Sequence, residues 1–220
     1  MKRPLIIGNW KSHKVLEDMD SWFAEVGSSL LPHPMDGEVV LCPPYPLLAT
    51  CKELINKHQL PWKLGAQDVS SLPEGKYTGE VNAKLLKDFV DYVLIGHSER
   101  RNELHETDEM LFEKIKRVKE VGLTPVLFVQ GQETKIPDDI EIIGYEPVFA
   151  IGTGNPDTPE DAEKVANYFK TVKHVPTVLY GGSVDSTNIH TFLSCPSLDG
   201  VVPGTASLDP KAFSALINNA

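Results

Sequence analysis

The fold is decided by the stretch Ile140–Asp161, which reads IEIIGYEPVFAIGTGNPDTPED. An apolar strand, Ile140–Tyr145, is followed at once by a lone carboxylate, Glu146. A loop with two glycines comes next, and Thr158 followed by Pro159 predicts the start of a helix, because threonine caps helices and proline suits the first turn. The stretch is therefore one strand–loop–helix unit with an acid at the carboxyl end of its strand.

The same unit recurs along the whole chain. Apolar residues repeat at helical spacing in Thr107–Val121, and Asp209 with Pro210 repeats the helix-start signal. The predicted strands are Leu5–Trp10, Glu38–Cys42, Trp62–Gln67, Tyr92–Ile95, Thr124–Val129, Ile140–Tyr145, Thr177–Tyr180 and Gly200–Pro203. Eight strands alternating with helices predict a (β/α)₈ barrel that forms a single domain over residues 1–220, with its active site at the carboxyl ends of the strands.

Composition excludes several functional classes. A net charge of −10 without a basic stripe argues against a nucleic-acid-binding surface. The chain has no apolar run of the ~18 residues that a membrane span needs, and its N-terminus has no secretory signal pattern. Cys42, Cys51 and Cys195 lack metal-site spacing, so we expect reduced thiols, no metal site and a cytoplasmic protein.

One crossover is too short for its helix. Ten residues, 130–139, separate Val129 from Ile140, whereas a parallel crossover with a helix takes ~10–12 residues or more. We therefore predict that the fifth barrel helix is missing or reduced to a loop. Its loss is expected to uncover apolar atoms on strands five and six near Val126, Phe128 and Ile142, and a displaced loop or another subunit would cover them.

Residues that could take part in catalysis follow the strands, where a barrel of this kind places its active site. Glu146 follows strand six, and burial under the next loop would raise the pKa of such a carboxylate and suit it as a general base. His97 precedes a predicted helix start at Ser98, which disfavours imidazolium and leaves a neutral donor. The other candidates at strand ends are Asn9, Lys11, Glu99, Ser183, Gly204 and Thr205.

Four segments in this order resemble the signatures of the triosephosphate isomerase family, and the resemblance runs from Leu5 to the C-terminus. They are GNWK (8–11), GHSERR (96–101), YEPVFAIGTG (145–154) and YGGSV (180–184). The resemblance implies the TIM-barrel fold and the interconversion of dihydroxyacetone phosphate and glyceraldehyde 3-phosphate through an enediolate, without a cofactor. It also implies catalytic roles for Lys11 as a cation, His97 as electrophile and Glu146 as base.

The resemblance implies further roles around this triad. Asn9 contacts a substrate oxygen, Glu99 pairs with Lys11, and Ser98 holds Glu146 when the lid, residues 147–157, is open. Amides of Gly152, Ser183, Gly204 and Thr205 bind the phosphate, which is a backbone task at such turns. Ile151 and Val202 clamp the base, and Tyr180 belongs to the supporting YGGSV segment.

The loop over residues 67–80 is similar to the family's subunit-contact loop. We therefore expect a homodimer, with the Tyr77–Gly79 tip beside a neighbour's Lys11. A tetramer is the alternative, since the chain is as short as the compact archaeal members of the family.

Several positions depart from the family's pattern. The family usually carries Cys-Ile-Gly-Glu where this chain has Val129–Gln132, so the cysteine near the base is absent. Asn155–Asp157 at the far end of the lid, Val202 for Leu and Thr205 for Gly also differ, which affects lid kinetics and phosphate affinity. Lys11, His97 and Glu146 are unchanged, so we expect an active enzyme.

Two other classes of function stay open. One is a catalytically silent barrel that binds phosphates or partners, against which the complete triad speaks. The other is a different sugar-phosphate isomerase or an aldolase, because the fold alone does not fix the reaction. Metal catalysis is disfavoured, since His105–Glu109 is better interpreted as an acidic helix start capped by Thr107.

Overall fold

The computed structural model describes residues 3–31, 36–147 and 157–220. The strands are β1 Leu5–Asn9, β2 Glu38–Cys42, β3 Lys63–Ala66, β4 Tyr92–Ile95, β5 Thr124–Val129, β6 Ile142–Tyr145, β7 Thr177–Tyr180 and β8 Gly200–Val201. The helices are α1 Met19–Ser29, α2 Leu48–Lys57, α3 Ala83–Leu86, α4 Ser98–Glu103, α5 Asp108–Glu120, α6 Pro159–Thr171, α7 Ile189–Leu193 and α8 Pro210–Asn218. Within this part of the chain, no helix has the length and apolar character needed to cross a bilayer.

The eight strands form one closed parallel barrel in chain order, which confirms the predicted fold. Alternate side chains of each strand point into the barrel, because the side-chain period of a strand is two. The interior cluster consists of Leu5, Ile7, Val40, Cys42, Leu94, Val126, Phe128, Ile142, Leu179 and Val202. The outward side chains pack under the helices in a second, larger cluster. All carboxyl ends of the strands therefore meet at one rim, where such barrels carry their sites.

Helix starts follow the predicted caps. The Thr158 hydroxyl accepts from the Asp161 amide, and the Asp209 carboxylate accepts from the Ala212 amide at 2.8 Å. Thr107 caps α5. The short helices α3 and α7 were not predicted, because four or five residues show no measurable periodicity.

The crossover between β5 and β6 contains no helix, as predicted. Residues 130–141, all of them described, form turns instead. The Gln130 amide donates to the Thr134 hydroxyl at 3.1 Å, and Lys119 of α5 donates to the Asp139 carbonyl at 2.6 Å. Ile136 packs on the outer apolar cluster, so this loop covers part of the place that a helix would take.

The residues predicted to face outward on strands five and six were wrong, although cover by the displaced loop was one of the two outcomes expected. Val126, Phe128 and Ile142 belong to the interior cluster and are at most 9% exposed, so their side chains point into the barrel. The outward residues are the alternate ones, Leu127 and Val129 on β5 and Ile143 and Tyr145 on β6, and these are buried within the same chain. The error was one of strand parity, which a one-residue shift reverses. Loss of the helix therefore gives no support for a tetramer.

Candidate active site

Glu146 lies directly beyond β6, and its amide continues the barrel ladder by donating to the Val129 carbonyl at 2.8 Å. Its side chain is 2% exposed. One carboxylate oxygen accepts from the Ser98 amide at 3.0 Å, and the other lies 2.9 Å from His97 Nε2. The Ser98 contact predicted for the base is therefore present, and the backbone amide makes it.

His97 caps the N-terminus of α4, as its place before Ser98 predicts. Its Nδ1 atom accepts from the Glu99 amide at 3.2 Å, so this nitrogen carries no proton. The proton of the neutral ring is then on Nε2, which faces Glu146. The imidazole is thus arranged as a neutral hydrogen-bond donor at the barrel rim.

Lys11 follows β1 in a left-handed conformation with φ of 52°. A non-glycine residue in this region stores strain of about 1–3 kcal/mol, so the surroundings must hold it. The Asn9 side chain accepts from the Lys11 amide at 3.0 Å, and Gln67 Nε2 donates to the Lys11 carbonyl at 2.8 Å. Its ammonium group pairs with Glu99 at 2.6 Å. The strained backbone therefore fixes the direction of the one cation of the predicted triad.

These groups line one cavity of about 560 Å³ at the carboxyl rim. Asn9, Ser183, Val202, Gly204 and Thr205 also line it, the last at the start of a short 3₁₀ turn, Thr205–Ser207. Among the described residues that line the cavity, Lys11 is the only lysine or arginine. Gly152 and Ile151, two further predicted site residues, lie outside the described residues.

Tyr180 is placed behind the site, not in it. The side chain is fully buried and stacks on Phe192 with ring centroids 4.1 Å apart. Its hydroxyl accepts from the Asp157 amide at 2.8 Å, and the Asp157 carboxylate accepts from the Tyr145 hydroxyl at 3.1 Å. Burial raises the pKa of Tyr180 to about 12, so the phenol stays protonated. Tyr145, two residues before the predicted lid, and Asp157, its last residue, are thereby joined.

A buried charge cluster that sequence analysis missed supports α4. Arg100 pairs with Asp68 and with Glu106, both at 2.7 Å, and Lys114 pairs with Asp68 at 2.6 Å. Burial raises the pKa of the Asp68 carboxyl, and Lys114 opposes that rise. Two acids and two bases balance in charge, and loss of one would strand a buried charge. The cluster ties α4, and with it His97, to the base of the 67–80 loop.

The residue of β5 that faces the barrel interior nearest the rim is Phe128 and not Val129. Val129 packs in the outer cluster. The Phe128 ring lies 5.3 Å from the His97 ring, centroid to centroid, in an edge-on arrangement. The strand pattern alone left the parity of β5 open, because residues on both faces are apolar.

Known proteins of one family match this chain along nearly its whole length. A profile of the family described as triosephosphate isomerase matches residues 4–139 and 129–220. The chain is similar to proteins named triosephosphate isomerase from Thermus thermophilus (39% identical, over 99% of this chain and 98% of that protein) and Hahella chejuensis (36%, over 100% and 99%). It is also similar to one from Trichodesmium erythraeum (35%, over 99% of each). These alignments span 251, 250 and 242 positions, more than the 220 residues present here, and the two profile matches overlap at the shortened crossover.

Proposed function

The chain belongs to the triosephosphate isomerase family, and from that premise we propose that it interconverts dihydroxyacetone phosphate and D-glyceraldehyde 3-phosphate, with Glu146, His97 and Lys11 as its catalytic residues. One observation carries the assignment of the residues. A buried carboxylate, a neutral imidazole donor and an ammonium group converge on one cavity from the ends of three different strands.

The proposed reaction moves one proton between adjacent carbons. Glu146 takes a proton from C1 of dihydroxyacetone phosphate, and the electrons of that C–H bond form the C1–C2 double bond of an enediolate. The carbonyl oxygen at C2 receives the negative charge, and His97 Nε2–H and the Lys11 ammonium stabilise it. Glu146 returns the proton to C2, a proton passes from the C1 hydroxyl to the oxygen on C2, and the aldehyde forms at C1. No electron acceptor or cofactor is required.

Residues suited to binding a phosphate support the choice of substrate. Ser183, Gly204 and Thr205 line the same cavity as the three catalytic candidates. We propose that their backbone amides bind the phosphate, since amides at such turns bind anions. We propose that Gly152 adds another amide, as the family resemblance implies. The side-chain oxygen of Asn9, Oδ1, already accepts from the Lys11 amide. A contact of this side chain with a substrate oxygen would therefore come from its NH₂ group. In a protein of net charge −10, binding of a dianion depends on such local groups.

We expect the purified protein to convert glyceraldehyde 3-phosphate to dihydroxyacetone phosphate with kcat/KM above about 10⁴ M⁻¹s⁻¹, the lower end of the range for ordinary enzymes. An assay coupled to reduction of dihydroxyacetone phosphate measures it. In D₂O, the product should carry deuterium at C2 of glyceraldehyde 3-phosphate when the reaction runs from dihydroxyacetone phosphate, because the proton on the base exchanges with solvent.

Two other results would contradict this function. Folded protein without turnover would favour the silent phosphate-binding barrel. Inactivation by borohydride only in the presence of substrate, with the substrate carbons attached to a lysine, would indicate a Schiff-base aldolase instead.

We propose that two chains associate through the 67–80 loop. Residues 72–80 of this loop are exposed, and Tyr77 keeps 42% of its surface accessible. A second hollow of about 290 Å³ lies beside the active site, lined by residues that include Lys11, Gln67, Glu99 and Leu104. A loop tip from a second copy would fill this hollow and shield the Lys11–Glu99 pair. A tetramer is the alternative assembly.

The substitution Tyr77→Asp should halve the molar mass measured by light scattering, because it places a charge in the proposed interface. The substitution Phe89→Asp is its control, since Phe89 is similarly exposed (40%) and lies at the opposite end of the barrel, before β4. Equal masses for Tyr77→Asp and the unaltered chain would contradict the proposed interface, and a mass of four chains would indicate the tetramer.

We propose a cytoplasmic location for the protein. Support comes from two of its cysteines, since Cys42 and Cys51 are buried free thiols. Burial raises the pKa of the Cys42 thiol far above its usual range, so this group stays protonated and unreactive. A protein with buried, reduced thiols suits a reducing compartment.

A further inference from the structure

Phe128 lies in the barrel interior below His97 and Glu146, the two reacting groups of the site. The side chain is fully buried in the barrel interior, at the layer nearest the carboxyl rim. Its ring meets the His97 ring edge-on, at 5.3 Å between centroids and 62° between planes. Its backbone carbonyl accepts from Arg101 Nη2 at 3.3 Å, and Arg101 Nε donates to the Gly96 carbonyl at 2.9 Å. Phe128 is thus joined through both backbone and side chain to the segment that carries His97.

The neighbouring strand β6 leaves room for this ring by having a glycine beside it. Gly144 of β6 is the register partner of Phe128, and a Cβ atom added there would lie 2.8 Å from the ring. A Cβ atom added at Gly181, beyond β7, would lie 3.0 Å from Glu146 Cγ and 3.7 Å from the ring. The Phe128 ring therefore extends across β6 to the space directly below the Glu146 side chain.

We propose that Phe128 is a positioning residue of the isomerase: its ring holds the His97 imidazole and the Glu146 side chain in the geometry that proton transfer requires. The inference rests on the proposed function and adds to it a residue of this chain that touches no substrate atom. Phe128 does not line the substrate cavity, so its effect passes through the two groups above it.

Two physical consequences of the ring support this role. Interiors are close-packed, so a rigid ring under a carboxylate and an imidazole limits how far either can sink or rotate. Removing the ring would leave a space edged by polar groups, which is the kind of cavity that takes up water. Water there would add hydrogen bonds to the base and permit new orientations, and a displacement of about 1 Å in a catalytic group can cost ~10²-fold in rate.

The test compares Phe128→Ala with Val126→Ala, a cavity variant of the same strand and interior cluster one layer below. We expect Phe128→Ala to lower kcat by on the order of 10- to 100-fold and to leave KM nearly unchanged. Val126→Ala should lose stability but little kcat when assayed well below its melting temperature. Phe128→Leu, which refills much of the space, should recover most of the loss. The dissociation constant of glycerol 3-phosphate should be the same in all four proteins, because the proposed phosphate-binding residues are unaltered.

Gly144→Ala provides a second measurement that does not create a cavity. In the unaltered background its methyl group would lie 2.8 Å from the ring and displace it, so kcat should fall while the protein stays folded. In the Phe128→Ala background the same methyl group enters vacant space, and its effect on kcat should be smaller.

The inference fails in either of two results. One is an equal kcat loss in Phe128→Ala and Val126→Ala. The other is a Gly144→Ala effect of the same size in both backgrounds. Both leave the proposed function intact if the unaltered chain turns over triose phosphate, whereas an inactive unaltered chain would remove the proposed function itself.

Discussion

Replacing Glu146 by glutamine lowers kcat for the isomerisation by on the order of 10²–10⁴-fold, with a much smaller change in KM. An amide cannot accept the substrate proton, while the proposed phosphate-binding residues are unchanged. The variant should stay folded, but the hydrogen bonds of residue 146 should change. The carboxylate faces two donors, the Ser98 amide and His97 Nε2, and the NH₂ group of a glutamine would oppose one of them.

The substitution Glu146→Asp gives an intermediate result that tests position as distinct from chemistry. The carboxylate is kept but withdrawn by one methylene group, and a displacement near 1 Å can cost ~10²-fold. The control is Asp185→Asn, which makes the same change from acid to amide in the same cavity. Asp185 caps the turn at Thr187, and asparagine caps such turns equally well. Glu146 would not be the base if Asp185→Asn lowered kcat as much as Glu146→Gln does, or if Glu146→Gln kept its activity.

Replacing Lys11 by methionine lowers kcat/KM by at least about 10²-fold, through a lower kcat and a higher KM. Methionine keeps much of the length of the side chain and removes its charge. Among the described lining residues no other lysine or arginine faces the cavity, so the dianionic substrate and the enediolate both lose their nearest cation. Glu99 is half exposed, with 50% of its side chain accessible, so water can solvate it once its partner is gone and the fold should survive.

The matched control for this variant is Lys14→Met. Lys14 is in the same loop and also has a left-handed backbone, with φ of 76°. The variant therefore makes the same change of side chain and of net charge on a similar backbone. Its kcat/KM should stay within a few fold of that of the unaltered chain. Equal losses in both variants would mean that overall charge matters, and that Lys11 does not act at the substrate. Steady-state kinetics at one fixed ionic strength makes the comparison, since salt screens such fields.

Much of the site could be predicted because chemistry at a barrel rim follows the ends of strands. Glu146, His97 and Lys11 each come within two residues of an observed strand end, so finding the strands also located them. The prediction for Ser98 identified the partner of the base, although the backbone amide makes the contact. Tyr180 was grouped with the site because of its segment, yet its side chain supports Asp157 from behind.

The supporting residues could not be found in this way. Lys114 and Glu106 are charged residues on or before a helix whose sequence looks like a solvated face, and both are buried in ion pairs. Nothing local distinguishes a lysine that meets Asp68 across 46 positions of sequence from one that meets water. The left-handed backbone of Lys11 likewise depends on Gln67, which is distant in the chain.

The sequence by itself determined the barrel, the absence of a helix between β5 and β6, the helix caps and the identity of the candidate triad. These features depend on periodicity, on the number of residues between two strands and on side chains beside a strand end, all of which are local properties. Only the tertiary structure decided which face of β5 and β6 points inward, and so that Phe128 lies under Glu146 and His97. Both faces of a parallel barrel strand are buried and apolar, so hydrophobicity carries no information on direction there. The closure of the barrel fixes that direction, because it sets every strand in register with its neighbours.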